Sequence, residues 1–217
     1  MAYRTVKTAS ETEYTVNKSR FIGRCIPVET EEEALSELAA IRKKHWDATH
    51  NCYAYVIGKA GADAASTVMR FSDDGEPGGT AGMPMLNVLR QKGITNVLVV
   101  STRYFGGILL GAGGLVRAYS KSAAMAVDAS GIVSVVDGVI IKIAMDYSRY
   151  GSLDTFLQRK KAEPESLMDI RGTEFTDLVT VEVGIRAEDA ERFIADIVEL
   201  TDGRVTPEIT ARCELKI

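Results

Sequence analysis

The sequence of 217 residues lacks several features that would place it in a specialised class of protein. No apolar run reaches the roughly 20 residues of a membrane-spanning helix, so no membrane association is expected. The N-terminal stretch MAYRTVKTAS has no apolar signal core, which argues against secretion. The three cysteines, Cys25, Cys52 and Cys213, are widely separated and form no CxxC pair, so neither a disulfide framework nor a zinc knuckle is predicted. We therefore expect a cytoplasmic protein.

The common catalytic and cofactor motifs are also missing. The sequence contains no GxxxxGK[ST] phosphate loop and no GxGxxG with an acidic residue at the dinucleotide-binding spacing. It contains no GxSxG nucleophile motif and no HExxH zinc motif. No cofactor and no metal are therefore predicted.

Charge and glycine are unevenly distributed along the chain. Residues 1–138 hold 15 basic and 14 acidic residues together with 15 glycines. Residues 139–217 hold 11 basic and 16 acidic residues and 4 glycines. Neither part is basic enough to bind nucleic acid by charge alone. The composition predicts two domains, 1–135 and 139–217, joined by a short linker around Ser134–Gly138, with the acidic second domain as a surface for docking a protein.

The most distinctive stretch runs from Val99 to Met125, VVSTRYFGGILLGAGGLVRAYSKSAAM, with five glycines, three basic residues and no carboxylate. The β-branched run 97–102 suits a buried strand, and the residues from Leu115 onward have helical spacing. A glycine turn lets backbone amides approach a ligand closely, and the start of the helix offers unpaired N–H groups. We therefore predict an anion site formed by the backbone of Gly106, Gly107, Gly111, Gly113 and Gly114.

Three cations accompany this turn. Arg103 follows the strand, and Arg117 and Lys121 are four residues apart on one helix face. The three can ring a phosphate, while Tyr104 and Phe105 stack a base. The alternative places Phe105 in the core, pairs Arg103 with a nearby carboxylate and leaves Lys121 in solvent. We favour the core position for Phe105 and phosphate binding for Arg103 and Arg117.

A cluster of carboxylates, Asp73, Asp74 and Glu76, lies in the loop DDGEPGGTAG. With His50 as a general base, Asp73 and Glu76 can hold a divalent cation or position a substrate hydroxyl, so these three are the candidate catalytic residues. The alternative is a turn in which the aspartates bond to local backbone and Glu76 is exposed, and we favour it for Asp74. In that alternative Arg103 pairs with Asp73 or Glu76.

Cys52 lies two residues after His50 on a predicted strand, which puts both side chains on one face. One interpretation is a thiolate nucleophile. A buried structural cysteine is favoured, because free cysteine is among the most buried residue types.

Local signals predict several boundaries. Two extended segments surround Asn17-Lys18-Ser19, Thr30 can cap a helix with Glu33 three residues on, and Gly93 ends a helix that starts near Pro84. The second part shows the order strand, helix, strand, strand, helix, strand, which is the ferredoxin-like order. The helix after Thr30 has an apolar stripe made of Ala34, Leu35, Leu38, Ile41 and Trp46.

Four segments together resemble the YigZ/Impact family: KSRFIG at 18–23, HWDATHNCYAYVIG at 45–58, DDGEPGGTAGMPML at 73–86 and TRYFGGILLGAGGLVRAYS at 102–120. The shorter second part fits the bacterial two-domain members. The resemblance implies an α+β protein with an N-terminal domain like the second domain of ribosomal protein S5. It also implies a C-terminal ferredoxin-like domain similar to the last domain of elongation factor G. The positions that match the family's functional surface are His50, Asp73, Asp74, Glu76, Thr80, Arg103, Gly106, Gly107, Gly111, Gly113, Gly114 and Arg117.

Two functions follow from these observations. Eukaryotic members of the family resemble regulators of translation that bind a partner protein, so the first hypothesis is a translation-associated regulator without catalysis. It would bind RNA, the ribosome or a translation-factor partner through the glycine-rich, arginine-bearing anion site, which includes Thr80 and Lys121. The second is a small-molecule enzyme that acts on a phosphorylated substrate at a cleft of His50, Asp73, Glu76 and Arg103. A binding protein is favoured over an enzyme.

Overall fold

The structure is a computed structural model that describes residues 2–58, 67–163 and 167–216. It is a mixed α and β protein with antiparallel sheets, and it divides into two compact units, Met1–Ser134 and Val135–Ile217. The described elements up to residue 130 are β1 (Tyr3–Val6), β2 (Ser10–Val16), β3 (Ser19–Pro27), α1 (Glu31–Lys44), β4 (His50–Ile57), β5 (Val68–Ser72), α2 (Gly82–Lys92), β6 (Val97–Tyr104) and α3 (Gly111–Ser130).

The remaining described elements form the second half of the chain. The predicted linker at Ser134–Gly138 lies inside the first of them and is therefore part of a strand, but the boundary between the two compact units, Ser134/Val135, falls within it. These elements are β7 (Ile132–Met145), α4 (Tyr147–Ala162), β8 (Met168–Phe175), β9 (Val179–Arg186), a turn of 3-10 helix (Ala187–Asp189), α5 (Ala190–Leu200) and β10 (Glu208–Lys216).

The sheet of the first unit has the strand order β2-β3-β6-β4-β5, with every neighbouring pair antiparallel. Its central strand β6 is buried on both faces, which explains the nearly continuous β-branched run. Val97 and Val99 belong to the core beneath α2 and α3, whereas Leu98 and Val100 belong to the core beneath α1. The sheet is therefore covered by one helix on one face and by two helices on the other.

The predicted local signals recur in this unit. Asn17 and Lys18 both have positive φ and form the turn between β2 and β3. The Thr30 hydroxyl accepts a hydrogen bond from the Glu33 amide at 3.1 Å, and Gly93 ends α2 in the left-handed conformation. The start of α1, the hairpin and the end of α2 are thus confirmed.

The apolar stripe predicted for α1 is wrong at two of its five positions. Ala34, Leu38 and Ile41 are buried, but Leu35 is half-exposed and Trp46 is 83% exposed. The helix ends at Lys44, so Trp46 follows the last turn and does not share its buried face. A narrower stripe suffices because α1 alone covers its side of the sheet.

The second sheet has five strands: β1 and β10 both pair with β7, and the order continues from β7 to β9 and β8. The β10-β7, β7-β9 and β9-β8 pairs are antiparallel. Its core lies between one face of this sheet and the helices α4 and α5. Alternate residues of β7, Ile141 and Ile143, are fully buried there, whereas Lys142 and Ala144 point to solvent. This one-sided burial explains why β7 alternates while β6 does not.

Candidate functional site

Three chain segments bring the predicted catalytic residues together. β4 begins at His50, which pairs in register with Arg103 near the end of β6. The loop between β5 and α2 folds over these strand ends and contributes Glu76. The glycine-rich turn after β6 leads into α3, so the two glycine loops line the same cleft.

The Glu76 carboxylate is the centre of a buried polar network. Its side chain is only 3% exposed, and its Oε1 atom accepts hydrogen bonds from Arg103 Nη1 at 2.6 Å and from the Tyr119 hydroxyl at 2.7 Å. His50 Nε2 lies 3.7 Å from the same oxygen. Burial raises the pKa of Tyr119 far above its usual value, so this hydroxyl remains a neutral donor.

Arg103 is held from several sides. Its Nη2 donates to the Ser19 hydroxyl at 3.2 Å, and its guanidinium lies over the rings of Phe21 and Phe105. With the Glu76 pair, these contacts leave the arginine 5% exposed. The alternative in which Arg103 pairs with Glu76 therefore describes the geometry.

Asp73 is occupied by backbone. Its two carboxylate oxygens accept three N–H hydrogen bonds, from Gly79, Ala81 and Gly82, at 2.8–2.9 Å. Burial raises the pKa of this carboxyl, but the three N–H groups outweigh burial and hold its pKa below the usual value. Asp73 thus closes the second glycine loop onto the start of α2.

Asp74 forms the tight turn that the composition predicted, with φ at +45°. Its carboxylate bonds to Arg42 and to the Asn51 amide, and its carbonyl oxygen lies 2.8 Å from His50 Nδ1. Since a carbonyl only accepts, His50 Nδ1 is the donor in this hydrogen bond. Glu76 itself is buried, which contradicts the exposed position that the turn interpretation gave it.

The cleft next to this network has a volume of about 380 Å³. His50, Glu76 and Arg103 line its polar end. Most of the remaining lining comes from apolar residues and from the start of α3: Pro77, Phe105, Leu109, Leu110, Leu115, Gly111 and Ala112, with Thr49 and Gly75 completing it.

Arg117 and Lys121 lie at a different hollow, of about 320 Å³, between the end of β2 and the first turns of α3. Both side chains are exposed, and no ion pair to either is found in the described part of the chain. The Lys121 ammonium lies 5.0 Å from the centre of the Tyr14 ring. Gly114 lines this hollow too. The three predicted cations therefore do not ring one phosphate.

Other predicted positions have structural contacts. The Thr80 hydroxyl donates to the Pro77 carbonyl at 2.7 Å. Gly106 packs so closely on the hairpin turn that a Cβ atom would lie 2.0 Å from the Lys18 carbonyl. Gly107 and Gly111 have positive φ, and nothing lies within 4 Å of a Cβ placed on either. These glycines shape the turn between β6 and α3.

Two further expectations can be compared with the structure. Phe105 is 45% exposed, so its predicted core position is wrong; it covers the Arg103 guanidinium at the rim of the cleft. Cys52 is fully buried, and burial raises its pKa to about 12, which confirms the structural interpretation of this residue.

The sequence did not point to Ser19 or Tyr119 as site residues. Ser19 bonds both to Arg103 and to the Gly106 amide, and Tyr119 bonds to Glu76. The only sequence signal for Ser19 was its place in the KSRFIG segment. Tyr119 follows Leu115 by four residues on the buried face of α3, and this spacing predicts an ordinary core residue.

Within the described ranges, no group of three or more histidine, cysteine, aspartate or glutamate side chains is arranged to hold a metal ion. None of the helices in those ranges combines the length and apolar character needed to cross a bilayer.

Comparison with known proteins gives consistent matches over the whole chain. Residues 17–127 match the Impact N-terminal domain, and residues 143–204 match a domain of unknown function, DUF1949. The IMPACT family member YvyE of Bacillus subtilis is 39% identical over 94% of this chain and 88% of its own length. An IMPACT family member of Haemophilus influenzae is 33% identical over 95% of this chain and 96% of its own.

A solved crystal structure of a hypothetical protein is 28% identical, covers 97% of this chain and 98% of its own, and has a TM-score of 0.59. It supports the two-part α and β architecture. The matched domains and the similarity to YvyE over nearly the full length together establish that this chain belongs to the IMPACT family.

Proposed function

We propose that this chain is a translation-associated regulatory protein that binds an RNA or ribosomal phosphate backbone through the α3 cation surface, made of Arg117, Lys121 and the first turns of α3. The observation that carries the proposal is that both side chains are exposed and have no ion pair in the parts of the chain that the structure describes. Unpaired cations that remain in solvent are free to exchange counterions for phosphates.

The surroundings of these cations support an anionic partner. The first turn of α3 has no acidic residue and its N-cap makes no side-chain hydrogen bond. The positive end of the helix dipole therefore adds to the field of Arg117. Tyr14, beside Lys121, lines the same hollow, with its ring stacked on Phe21 and its hydroxyl donating to the Ala118 carbonyl.

The remaining parts of the proposal follow from family membership. Translational control is the role that the resemblance to eukaryotic family members implied. The order β10-β7-β9-β8 supports a ferredoxin-like second domain, and the sheet β2-β3-β6-β4-β5 supports a domain like the second one of ribosomal protein S5. The acidic second domain serves as the docking surface for a protein, and the protein acts in the cytoplasm without a cofactor.

An enzyme acting on a phosphorylated substrate is less well supported. Arg103 is buried against Glu76 and is not free to clamp a phosphate. The Asp73 carboxylate is occupied by three backbone N–H groups. Of the four side chains that this hypothesis needs, Asp73 and the Arg103 Nη atoms are occupied, and the unpaired Nε of Arg103 is fully enclosed.

Filter binding and ribosome co-sedimentation at several salt concentrations test the proposal. We expect Arg117→Ala/Lys121→Ala to weaken binding to ribosomes or ribosomal RNA. Two lost phosphate contacts should reduce the slope of log affinity against log salt by about 1.4 for single-stranded RNA. The matched control is Lys43→Ala/Arg90→Ala, which also removes one lysine and one arginine, exposed on α1 and α2.

Equal binding and equal salt slopes for the two double variants would contradict the proposal. Failure of the wild-type protein to retain any RNA or ribosome at low salt would do the same. If the chain binds only a protein partner, and this binding does not depend on salt, RNA binding is ruled out in favour of a role that depends on a protein partner.

A further inference from the structure

The polar end of the cleft presents a hydrogen-bond acceptor without a donor. Oε1 of Glu76 takes the hydrogen bonds from Arg103 and Tyr119, while Oε2 has no hydrogen-bond partner among the described residues. Oε2 is not one of the fully enclosed polar atoms, so it faces the cleft that Glu76 lines. His50 Nε2 lies at the same end, 3.7 Å from Oε1. A carboxylate this deeply buried with one oxygen unpaired calls for a ligand that donates.

Another part of the cleft wall presents donors without acceptors. Gly111 and Ala112, the first residues of α3, line the cleft. The amides of Gly111, Ala112 and Gly113 precede the first intrahelical hydrogen bond, and no described residue accepts from them. This part of the cleft therefore calls for an anionic group such as a carboxylate.

An apolar wall connects the two ends. Leu109 is 84% exposed and Phe105 is 45% exposed, although both are large apolar side chains that line the cleft. The volume of about 380 Å³ corresponds to roughly a dozen water-sized groups. A ligand of about a dozen non-hydrogen atoms with one apolar side chain fits this space.

The charges in the cleft decide between ligand types. Arg103 already neutralises Glu76, and the cleft contains no other charged side chain. A simple amine would add an uncompensated positive charge beside Arg103, and a simple anion would add a negative charge beside Glu76. A ligand that carries both charges satisfies both ends and leaves the cleft neutral.

We propose that the cleft binds a free α-amino acid with a bulky apolar side chain. The ammonium group donates to Glu76 Oε2 beside His50, the carboxylate accepts from the amides at the start of α3, and the side chain covers Phe105 and Leu109. This inference does not depend on RNA binding, because Arg117 and Lys121 line a different hollow.

Calorimetric titration and thermal-shift assays with L-leucine and L-phenylalanine test the assignment. We expect a dissociation constant of about 1 mM or tighter for a ligand of this size. N-acetyl-L-leucine lacks the ammonium group and L-leucinamide lacks the carboxylate. Each should bind at least about tenfold more weakly, because each leaves one end of the cleft unpaired.

The sharpest variant is Ala112→Asp. Glu76→Gln is more obvious, but it disturbs the buried network and can unfold the unit. Ala112 is exposed in the first turn of α3, where an acidic side chain stabilises a helix, so Ala112→Asp should fold at least as well as the wild type. The new carboxylate repels that of the ligand, and we expect binding to weaken about ten- to a hundredfold. Ala112→Asn has the same shape without the charge, so Ala112→Asp should bind at least about tenfold more weakly than Ala112→Asn, and this difference measures the charge alone.

The outcomes are distinct. The assignment is supported if both blocked compounds lose binding, if Ala112→Asp binds more weakly than Ala112→Asn, and if Arg117→Ala/Lys121→Ala retains wild-type affinity. Absence of binding by either amino acid at about 10 mM overturns it. Equal binding of blocked and free compounds, or unchanged affinity in Ala112→Asp, also overturns it.

Discussion

The buried pair of Arg103 and Glu76 should dominate the stability of the first unit. Removing one member of a buried ion pair leaves the other charge uncompensated, which typically costs about 3–5 kcal/mol. Arg103→Met keeps an unbranched apolar side chain but leaves a carboxylate that is 97% buried with Tyr119 as its one direct donor among the described residues. The lost contacts with Phe21 and Phe105, each worth about 0.5–1 kcal/mol, are counted within that cost.

The expected cost of Arg103→Met is therefore about 3–5 kcal/mol. For a unit of this size that corresponds to a decrease in melting temperature of roughly 10–20 °C. Glu76→Gln should also destabilise, because it leaves the Arg103 guanidinium buried without a counter-ion. In Arg103→Met/Glu76→Gln no buried charge remains, and the glutamine oxygen can still accept from Tyr119. The double variant should therefore cost at least about 2 kcal/mol less than the sum of the single variants.

Hydrogen exchange read by mass spectrometry is the appropriate assay, because it follows the two units separately within one chain. Amides of β6 should exchange faster in both single variants and recover much of their protection in the double variant. Amides of β9, in the second unit, are the internal control and should not change. Purely additive costs, or a cost below about 1 kcal/mol for Arg103→Met, would refute the description of this pair as buried and mutually dependent.

Two further predictions concern the loops. Gly106→Ala should cost more than about 2 kcal/mol in urea unfolding, because its Cβ would lie 2.0 Å from the Lys18 carbonyl. The control Gly78→Ala has nothing within 4 Å of its Cβ and should change stability by less than about 1 kcal/mol. Equal costs for the two variants would contradict the close approach of Gly106 to Lys18. Asp73 has a folded pKa below its unfolded value, so its contribution is complete above about pH 5 and is lost as the pH falls through the folded pKa. Urea unfolding from pH 3 to 7 should show that the free energy of unfolding decreases less at low pH in Asp73→Asn than in the wild type. If the two proteins show the same pH dependence, the three amides do not favour the charged form of Asp73.

Much of the fold could be predicted because its signals are local. The positive φ at Asn17 and Lys18, the cap at Thr30 and the left-handed Gly93 each depend on a few neighbouring residues. The double-sided burial of β6 also follows from its own composition. Such features depend on local residue type and spacing more than on tertiary packing, so the sequence alone identifies them.

The site was harder to predict because its partners are far apart in sequence. Glu76 and Arg103 are 27 residues apart, and Ser19 and Arg103 are 84 apart. Sequence alone left open whether Arg103 would bind a phosphate or pair with a carboxylate, since either satisfies a guanidinium. The error at Phe105 has the same origin: its apolar ring contacts a buried cation at the rim of the cleft and does not enter the core.

The position of the ion pair suggests why the fold contains it. Well-packed apolar residues would stabilise a core at least as well, so a buried ion pair needs another reason. Glu76 receives donors from β6 and α3 on one oxygen and presents the other to the cleft. Arg103 is thus the counter-ion that allows a carboxylate to remain charged at the base of an apolar hollow. Without a ligand, Oε1 keeps the hydrogen bonds from Arg103 and Tyr119, but Oε2 has no donor among the described residues. The comparison of Arg103→Met, Glu76→Gln and the double variant therefore measures the cost of keeping the Glu76 carboxylate charged. On our proposal, that charge recognises an ammonium group.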